Sequence, residues 1–128
     1  MSTSISVNSK MIGIGKFPVL AESVSLKSAL DSMTKYSIGV ACFIDSNNKF
    51  IGLLTDGDLR RLILTKQSPL PSLLITTAIE FGTRSPKTIL ENEDLGLAIE
   101  MMDRNQIWDL PVLNKAGSLV GLLNRHNL

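Results

Sequence analysis

Cysteine and histidine are almost absent from this sequence: Cys42 and His126 each stand alone. One cysteine excludes an intrachain disulfide and a cysteine-rich metal site. One histidine excludes His-pair zinc motifs and leaves a single candidate for a histidine base. Charge of either sign is not in excess. Thirteen basic and twelve acidic residues leave a formal net charge of +1, too little for a global field that recruits nucleic acid or an anionic membrane. Nor does any apolar run approach the ~18 residues that cross a bilayer. The first ten residues, Met1 to Lys10, lack the charged start and apolar stretch of a signal peptide. What is present is an ordinary apolar fraction, 44%, too high for a disordered chain. At 128 residues the chain fits one compact domain or two small subdomains sharing a core. These counts point to a cytoplasmic binding or regulatory module rather than a self-sufficient enzyme.

The chain repeats itself at an offset of 69 residues. Glu22 falls on Glu91, Leu26 on Leu95, Ala29 on Ala98, Met33 on Met102 and Ile38 on Ile107, and Gly52-Leu53-Leu54 falls on Gly121-Leu122-Leu123. Lys35 on Arg104, Asp45 on Asn114, Ile51 on Val120 and Asp58 on Asn127 are conservative matches. Two copies are too few for a solenoid, so two units packed face to face are expected. In the first, Ser25 is placed to cap a helix with Leu26, Ala29, Leu30 and Met33 on one face, ended at Tyr36-Ser37. Val40 to Ile44 reads as a buried strand, 45–49 as a turn, Phe50 to Leu54 as a second strand and Asp58 to Leu64 as a helix. The second unit gives a helix over Leu95 to Arg104, a strand over Leu110 to Leu113, a turn at Asn114 to Gly117 and a strand over Ser118 to Leu123. Pro69 and Pro71 mark a connection. The expected division is a tail over 1–9, a first repeat over 10–68, a connection over 69–78 and a second repeat over 79–128. Leu128 aligns with Leu59, so the second repeat is expected to lack its closing helix, as in a piece of a longer protein or a chain that takes this helix from a neighbour.

The most informative stretch is Gly52-Leu53-Leu54-Thr55-Asp56-Gly57-Asp58-Leu59-Arg60-Arg61, where a strand ends and a helix opens. The two oxygens of an Asp58 carboxylate suit the adjacent hydroxyls of a ribose, and Thr55 adds a hydroxyl. Gly57 allows close backbone approach, and free N–H groups at a helix start favour an anion. The same Thr-x-x-Asp spacing also makes a capping box, which only satisfies backbone donors. The two roles can coexist.

With its repeat and its Gly-x-x-Thr-x-x-Asp turn, the chain resembles a CBS domain pair, or Bateman module, over residues ~10–128. The 52–61 stretch is similar to pairs attached to arabinose 5-phosphate isomerases of the sugar-isomerase class. Arg84-Ser85-Pro86-Lys87-Thr88, Leu110 to Leu113 and Gly121 to Leu128 fit that pattern too, although those enzymes usually carry His and Asp where Asn124 and Asn127 stand. Similar pairs accompany some sugar nucleotidyltransferases. The resemblance implies an α+β fold of two β-α-β-β-α units packed through their sheets, with two clefts. It implies an adenosine nucleotide (AMP, ADP or ATP) or a nucleotide-sugar as ligand, no catalysis by the chain itself, a homodimer, and an attached catalytic domain in the parent protein. Carried over residue by residue, it assigns Thr55 and Asp58 to the ribose and Pro18, Val19, Ala41 and Cys42 to the base. Arg125 or His126 would contact a phosphate. In the second cleft Asn124 and Asn127 replace Thr and Asp. A neutral hydrogen bond contributes about 1 kcal/mol against roughly 1.5–3 for one to a charged group. That cleft is therefore expected to be weak or empty, with Thr88 its one further contact.

Other residues carry plainer readings. Gly13-Ile14-Gly15-Lys16 lacks phosphate-loop spacing. Asp56 and Asp58 without a third ligand are a poor metal site, and acids at a helix start are explained by the macrodipole. Arg60 and Arg61 could reach a phosphate or simply be solvated. Trp108 suits base stacking, core or interface packing, while Cys42, Met33 and Met102 read as core. A small hydrolase built on Asp56, Asp58 and His126 would need metal-dependent turnover, and no complete catalytic constellation is visible. A purely structural dimerisation module is the remaining alternative.

Overall fold

The computed structural model describes residues 5–128; the first four residues of the expected N-terminal tail lie outside the described residues. The chain divides into two compact units. The first is Gly15–Pro86; the second joins the described residues up to Ile14 with Lys87–Leu128.

In the first unit, β2 (Val19–Ala21) leads to α1 (Leu26–Tyr36), β3 (Val40–Ile44), β4 (Phe50–Thr55) and α2 (Asp56–Thr65). A short helix, α3 (Leu70–Leu74), a 3-10 turn (Ala78–Phe81) and β5 (Thr83–Arg84) complete it. The sheet order is β2-β3-β4-β5, with β2 parallel to β3 and the other pairs antiparallel. Helix α1 forms where expected. Ser25 Oγ accepts from the Ser28 amide at 3.2 Å, and Ser37 closes the helix in the left-handed region at φ 52°. The apolar face reads directly from the spacing: Leu26, Ala29 and Met33 are buried with Ala41, Phe43 and Leu54 of the sheet and Leu62 of α2. Helix α2 begins at Asp56, two residues ahead of the expected start, because Thr55 supplies the N-cap.

The second unit repeats this plan. Its elements are β1 (Ile12–Gly13), β6 (Ile89–Leu90), α4 (Leu95–Asn105), β7 (Asp109–Leu113) and β8 (Leu119–Asn124), ending in a 3-10 turn over Arg125–Asn127. Sheet order is β1-β8-β7-β6. Helix α4 is α1 displaced by the sequence offset. Asp94 caps it by accepting from the Gly96 amide at 2.7 Å, and Gln106 ends it at φ 54°. The β7–β8 hairpin has the register of β3–β4, including the same irregularity, at Val112/Leu113 and at Phe43/Ile44. Asp45 Oδ1 accepts from the amides of Asn47 and Lys49, as Asn114 Oδ1 does from those of Ala116 and Ser118. This is an α+β architecture of two β-α-β-β units, the first closed by α2 and the second by a 3-10 turn.

The compact units are not the same divisions as the sequence repeats. Each sheet takes its last strand from the segment that precedes the other repeat in sequence. Strand β5 pairs with β4 (Thr83 with Leu53, Arg84 with Gly52), and β1 pairs with β8 (Ile12 with Leu122, Gly13 with Gly121). The 3-10 turn Val7–Ser9 does for the second unit what Ala78–Phe81 does for the first: Val7 and Ala78 are both fully buried. The backbone ties correspond as well. Leu26 donates to Thr76 at 2.8 Å and Leu95 to Ile5 at 2.7 Å. The expected connection over 69–78 is therefore structured, with Leu73 of α3 in the core of the first unit. Residues 10–14, part of the first repeat in sequence, pack in the second unit.

Candidate ligand-binding site

Strand register brings the predicted residues of the first repeat to one end of one sheet. Val19 of β2 lies opposite Cys42 of β3, and the Cys42 amide donates to the Pro18 carbonyl at 3.0 Å. Val40, the first residue of β3, lies opposite Thr55, the last residue of β4. Because β3 and β4 run antiparallel, the end of β4 and the start of α2 sit beside the start of β3, with the start of β2 next to it. Pro18, Val19, Ala41, Cys42, Thr55 and Asp58 thus share one edge of the first unit.

Their side chains are not equally available. Ala41 packs in the helix-facing core with Leu26, Ala29 and Leu54, so only its backbone can serve a ligand. Cys42 and Pro18 are buried, Val19 is half-buried, and Asp58 is only 9% exposed.

The Thr55–Asp58 turn is a complete capping box. Asp58 Oδ2 accepts from the Thr55 amide at 2.9 Å and from the Thr55 hydroxyl at 3.2 Å, while the Asp58 amide donates to Thr55 Oγ1 at 3.3 Å. Asp58 Oδ1 accepts from Arg61, one turn along α2, in a salt bridge whose cationic partner is 65% exposed. The capping reading of Thr-x-x-Asp is realised, and the carboxylate is positioned by it. Gly57 carries no side chain where Arg61 folds back: a Cβ there would stand 3.6 Å from Arg61 Nη1 and from Thr55 Oγ1. Asp56 is the next residue toward the strand, and its amide donates to the Gly39 carbonyl at 3.0 Å.

An open groove of about 520 Å³ adjoins this turn. It runs along Leu30, Met33 and Thr34 of α1 and the Ser37–Gly39 turn to Asp56. None of the residues predicted to bind the nucleotide lines it.

In the second unit the corresponding turn is built differently. Asn124 Nδ2 donates to Asp109 Oδ1 at 2.7 Å, and Asn124 Oδ1 accepts from the His126 amide at 3.0 Å. Both ends of that amide are thus engaged within the unit. Arg125 pairs with Asp103 of α4 at 2.9 Å, and His126 stacks on Trp108 with ring centroids 5.1 Å apart. Trp108 is 59% exposed, which removes core packing from its three readings and leaves base stacking and interface packing. Asn127 is exposed, and Thr88 precedes β6 at the position that Val19 holds in the first repeat. Gly13 ends β1 and Gly15 turns at φ 92° toward β2, so no helix follows the Gly-x-Gly-Lys stretch as a phosphate loop requires. Among the described residues, no three His, Cys, Asp or Glu side chains gather as metal ligands, and no helix is long and apolar enough to cross a membrane.

Sequence reasoning missed Arg61 as a partner of Asp58, although their i,i+3 spacing on a helix was visible. It also missed the groove, whose walls come, Asp56 apart, from residues of a helix face and a turn.

Comparison with known proteins agrees with this fold. A family model described as "CBS domain" matches residues 9–65 and again 78–128. An uncharacterized protein of Helicobacter pylori is 33% identical over 112 residues, covering 87% of this chain and 32% of that protein. Arabinose 5-phosphate isomerase KpsF of Escherichia coli is 32% identical over 106 residues, covering 83% of this chain and 31% of the isomerase. The chain thus spans about a third of the length of the curated relatives it matches. Among solved structures, that of CBSX2 in complex with AMP superposes with a TM-score of 0.82 at 24% identity, covering 95% of this chain and 91% of the other.

Proposed function

This chain belongs to the CBS domain family as a tandem pair, and we propose that it is a regulatory module that binds an adenosine nucleotide through its first repeat. One observation carries the reading. The antiparallel β3–β4 register sets a pre-positioned carboxylate, Asp58, at the sheet end where Pro18, Val19, Ala41 and Cys42 also lie. Thr55 and Asp58 would take the ribose hydroxyls, and the β2 and β3 edges would flank the base. The AMP bound by the structurally similar CBSX2 supports this choice of ligand class. A nucleotide-sugar is the alternative occupant of the same ribose site.

The relatives' further two-thirds supports an attached enzyme, and KpsF supports a sugar-phosphate isomerase as that enzyme. Regulation then requires only that the nucleotide bind one conformation of the module better than another, the bias passing to the attached domain. The chain itself carries no catalytic role in this reading.

Thermal unfolding with AMP, ADP, ATP and a CMP-sugar tests it. A ligand at about 100 times its Kd stabilises the folded chain by ~2.7 kcal/mol. Asp58→Asn, which removes the charge and keeps an acceptor for the cap, should abolish that shift with the fold intact. An unchanged shift in this variant removes Asp58 from the site.

A second reading, a dimerisation module, is favoured by the exposure of Ile63 and Leu64 on α2, Leu70 on α3, and Ile75 beyond it, each more than 60% accessible. Light scattering of the chain and of an Ile63→Glu/Leu64→Glu variant separates a homodimer through this surface from a monomer.

A further inference from the structure

We infer that Arg61 sets the preference of this site for phosphorylated over unphosphorylated nucleosides, by holding the carboxylate that the sugar needs and releasing it in exchange for a phosphate. The inference rests on the ribose role proposed for Asp58.

Lone-pair counting on Asp58 is the starting point. A carboxylate offers about four acceptor positions, two per oxygen. Oδ2 spends both of its own inside the turn, on the Thr55 amide and the Thr55 hydroxyl. Oδ1 spends one on Arg61. One position is left, and a vicinal diol needs two. The bonds to Thr55 also hold the start of α2, whereas the Arg61 pair is the outer one, with its guanidinium 65% exposed. Arg61 is therefore the partner that must leave for the diol to bind through both hydroxyls.

Leaving has different consequences for different ligands. A neutral nucleoside replaces a charge-assisted pair with hydroxyl donors and offers the freed guanidinium nothing. A nucleoside phosphate offers it an anion, which a guanidinium grips with two parallel hydrogen bonds. The displaced group is already near the right place, since it lies over Gly57 at the opening of α2, where the helix dipole also favours negative charge. Arg61 thus acts as a specificity-determining residue in two steps: it competes with the sugar, then compensates the phosphate. The neighbouring Arg60, two residues along α2 from Asp58, does not share its face, whereas Arg61 stands about one helical turn away on it.

Titration calorimetry with AMP and with adenosine, on the wild-type chain and on Arg61→Ala, tests the exchange. The wild type should bind AMP more tightly than adenosine. Arg61→Ala should bind adenosine more tightly than the wild type does and AMP less tightly, so the ratio of the two affinities falls about tenfold or more, as loss of one charged hydrogen bond implies. Arg61→Lys keeps the charge without the fork and should fall between. A general loss of stability would move both ligands together and leave the ratio alone. An unchanged ratio in Arg61→Ala overturns the role of Arg61 while leaving nucleotide binding in place. A wild-type chain that binds neither AMP nor adenosine overturns the nucleotide reading, and this inference with it.

Discussion

The backbone amide of Arg125 donates to the carbonyl of Trp108 at 2.9 Å, at the point where, one repeat earlier, Asp56 donates to Gly39 at 3.0 Å. The two strand-to-helix junctions are one backbone construction carrying different side chains. In the first, the absence of a side chain on Gly39 leaves space that the Asp56 carboxylate occupies; a Cβ there would overlap it. In the second, Trp108 stands at that position and His126 stacks on it. Backbone equivalence therefore does not make the two turns chemically equivalent.

Stoichiometry should report that difference. The first turn holds a buried carboxylate, while the second holds an Asn124 amide already bonded to Asp109 and to the His126 backbone. Calorimetric titration with AMP is expected to give one site per chain. Asn127→Ala should leave the affinity unchanged, because Asn127 is an exposed neutral residue where the first repeat has Asp58. Two equal sites per chain, or a loss of affinity in Asn127→Ala, would show that the second turn binds nucleotide after all.

Thr55 serves the fold before any ligand arrives. Its hydroxyl accepts from the Asp58 amide and donates to the Asp58 carboxylate, so Thr55→Ala removes both bonds of the side chain. Loss of such a cap costs about 1 kcal/mol, within a range of roughly 0.5–2. Urea denaturation should show a lowered midpoint with an unchanged slope, and Thr55→Ser should recover most of it. A Thr55→Ala chain as stable as the wild type would mean that the capping bonds add nothing net.

Gly82 is a steric requirement rather than a conformational one. Its φ of −95° is open to any residue, but a Cβ at this position would overlap the carbonyl oxygen of Leu53 in β4. Backbone cannot yield as a side chain can. Gly82→Ala should push β5 off the edge of its sheet and destabilise the chain by roughly 1–3 kcal/mol, the usual range for overpacking. The comparison is Gly57→Ala, where a Cβ meets nothing closer than 3.6 Å and stability should hold or rise. Equal effects of the two substitutions on the thermal midpoint would contradict the steric account.

The helices, the hairpins and the offset between repeats were all legible because each is specified locally. Leu26, Ala29 and Met33 mark a helix face by spacing alone, and Asp45 and Asn114 announce their turns. The edge strands were not legible. Ile12-Gly13 and Thr83-Arg84 are two residues each and share no pattern, and they recur at a slightly different offset from the rest of the repeat. Their pairing is decided by a distant strand, which no local periodicity records. The candidate site divides the same way. The turn and its two capping residues could be read from Thr-x-x-Asp, but the burial of Ala41 in the helix-facing core depends on sheet packing. Arg61 was ambiguous because an exposed helical arginine and one closed onto a carboxylate have the same sequence signature.

That non-local pairing gives the sharpest test of the fold. Residues 5–14 precede the first unit yet complete the second: Val7 is fully buried in its core, Met11 packs against it, and Ile12-Gly13 forms the edge of its sheet beside β8. A chain starting at Gly15 should therefore damage the second unit and spare the first. Hydrogen exchange read residue by residue should show amides of β8 and α4 losing protection, while those of β3, β4 and α1 keep theirs. Val7→Ala is the milder version. At about 0.8 kcal/mol per buried CH₂ it should cost roughly 1.5–2 kcal/mol, with the faster exchange again confined to the second unit. If shortening the chain raised exchange in α1 and β3 instead, the N-terminal segment would belong to the repeat it precedes, and the division into units drawn above would be wrong.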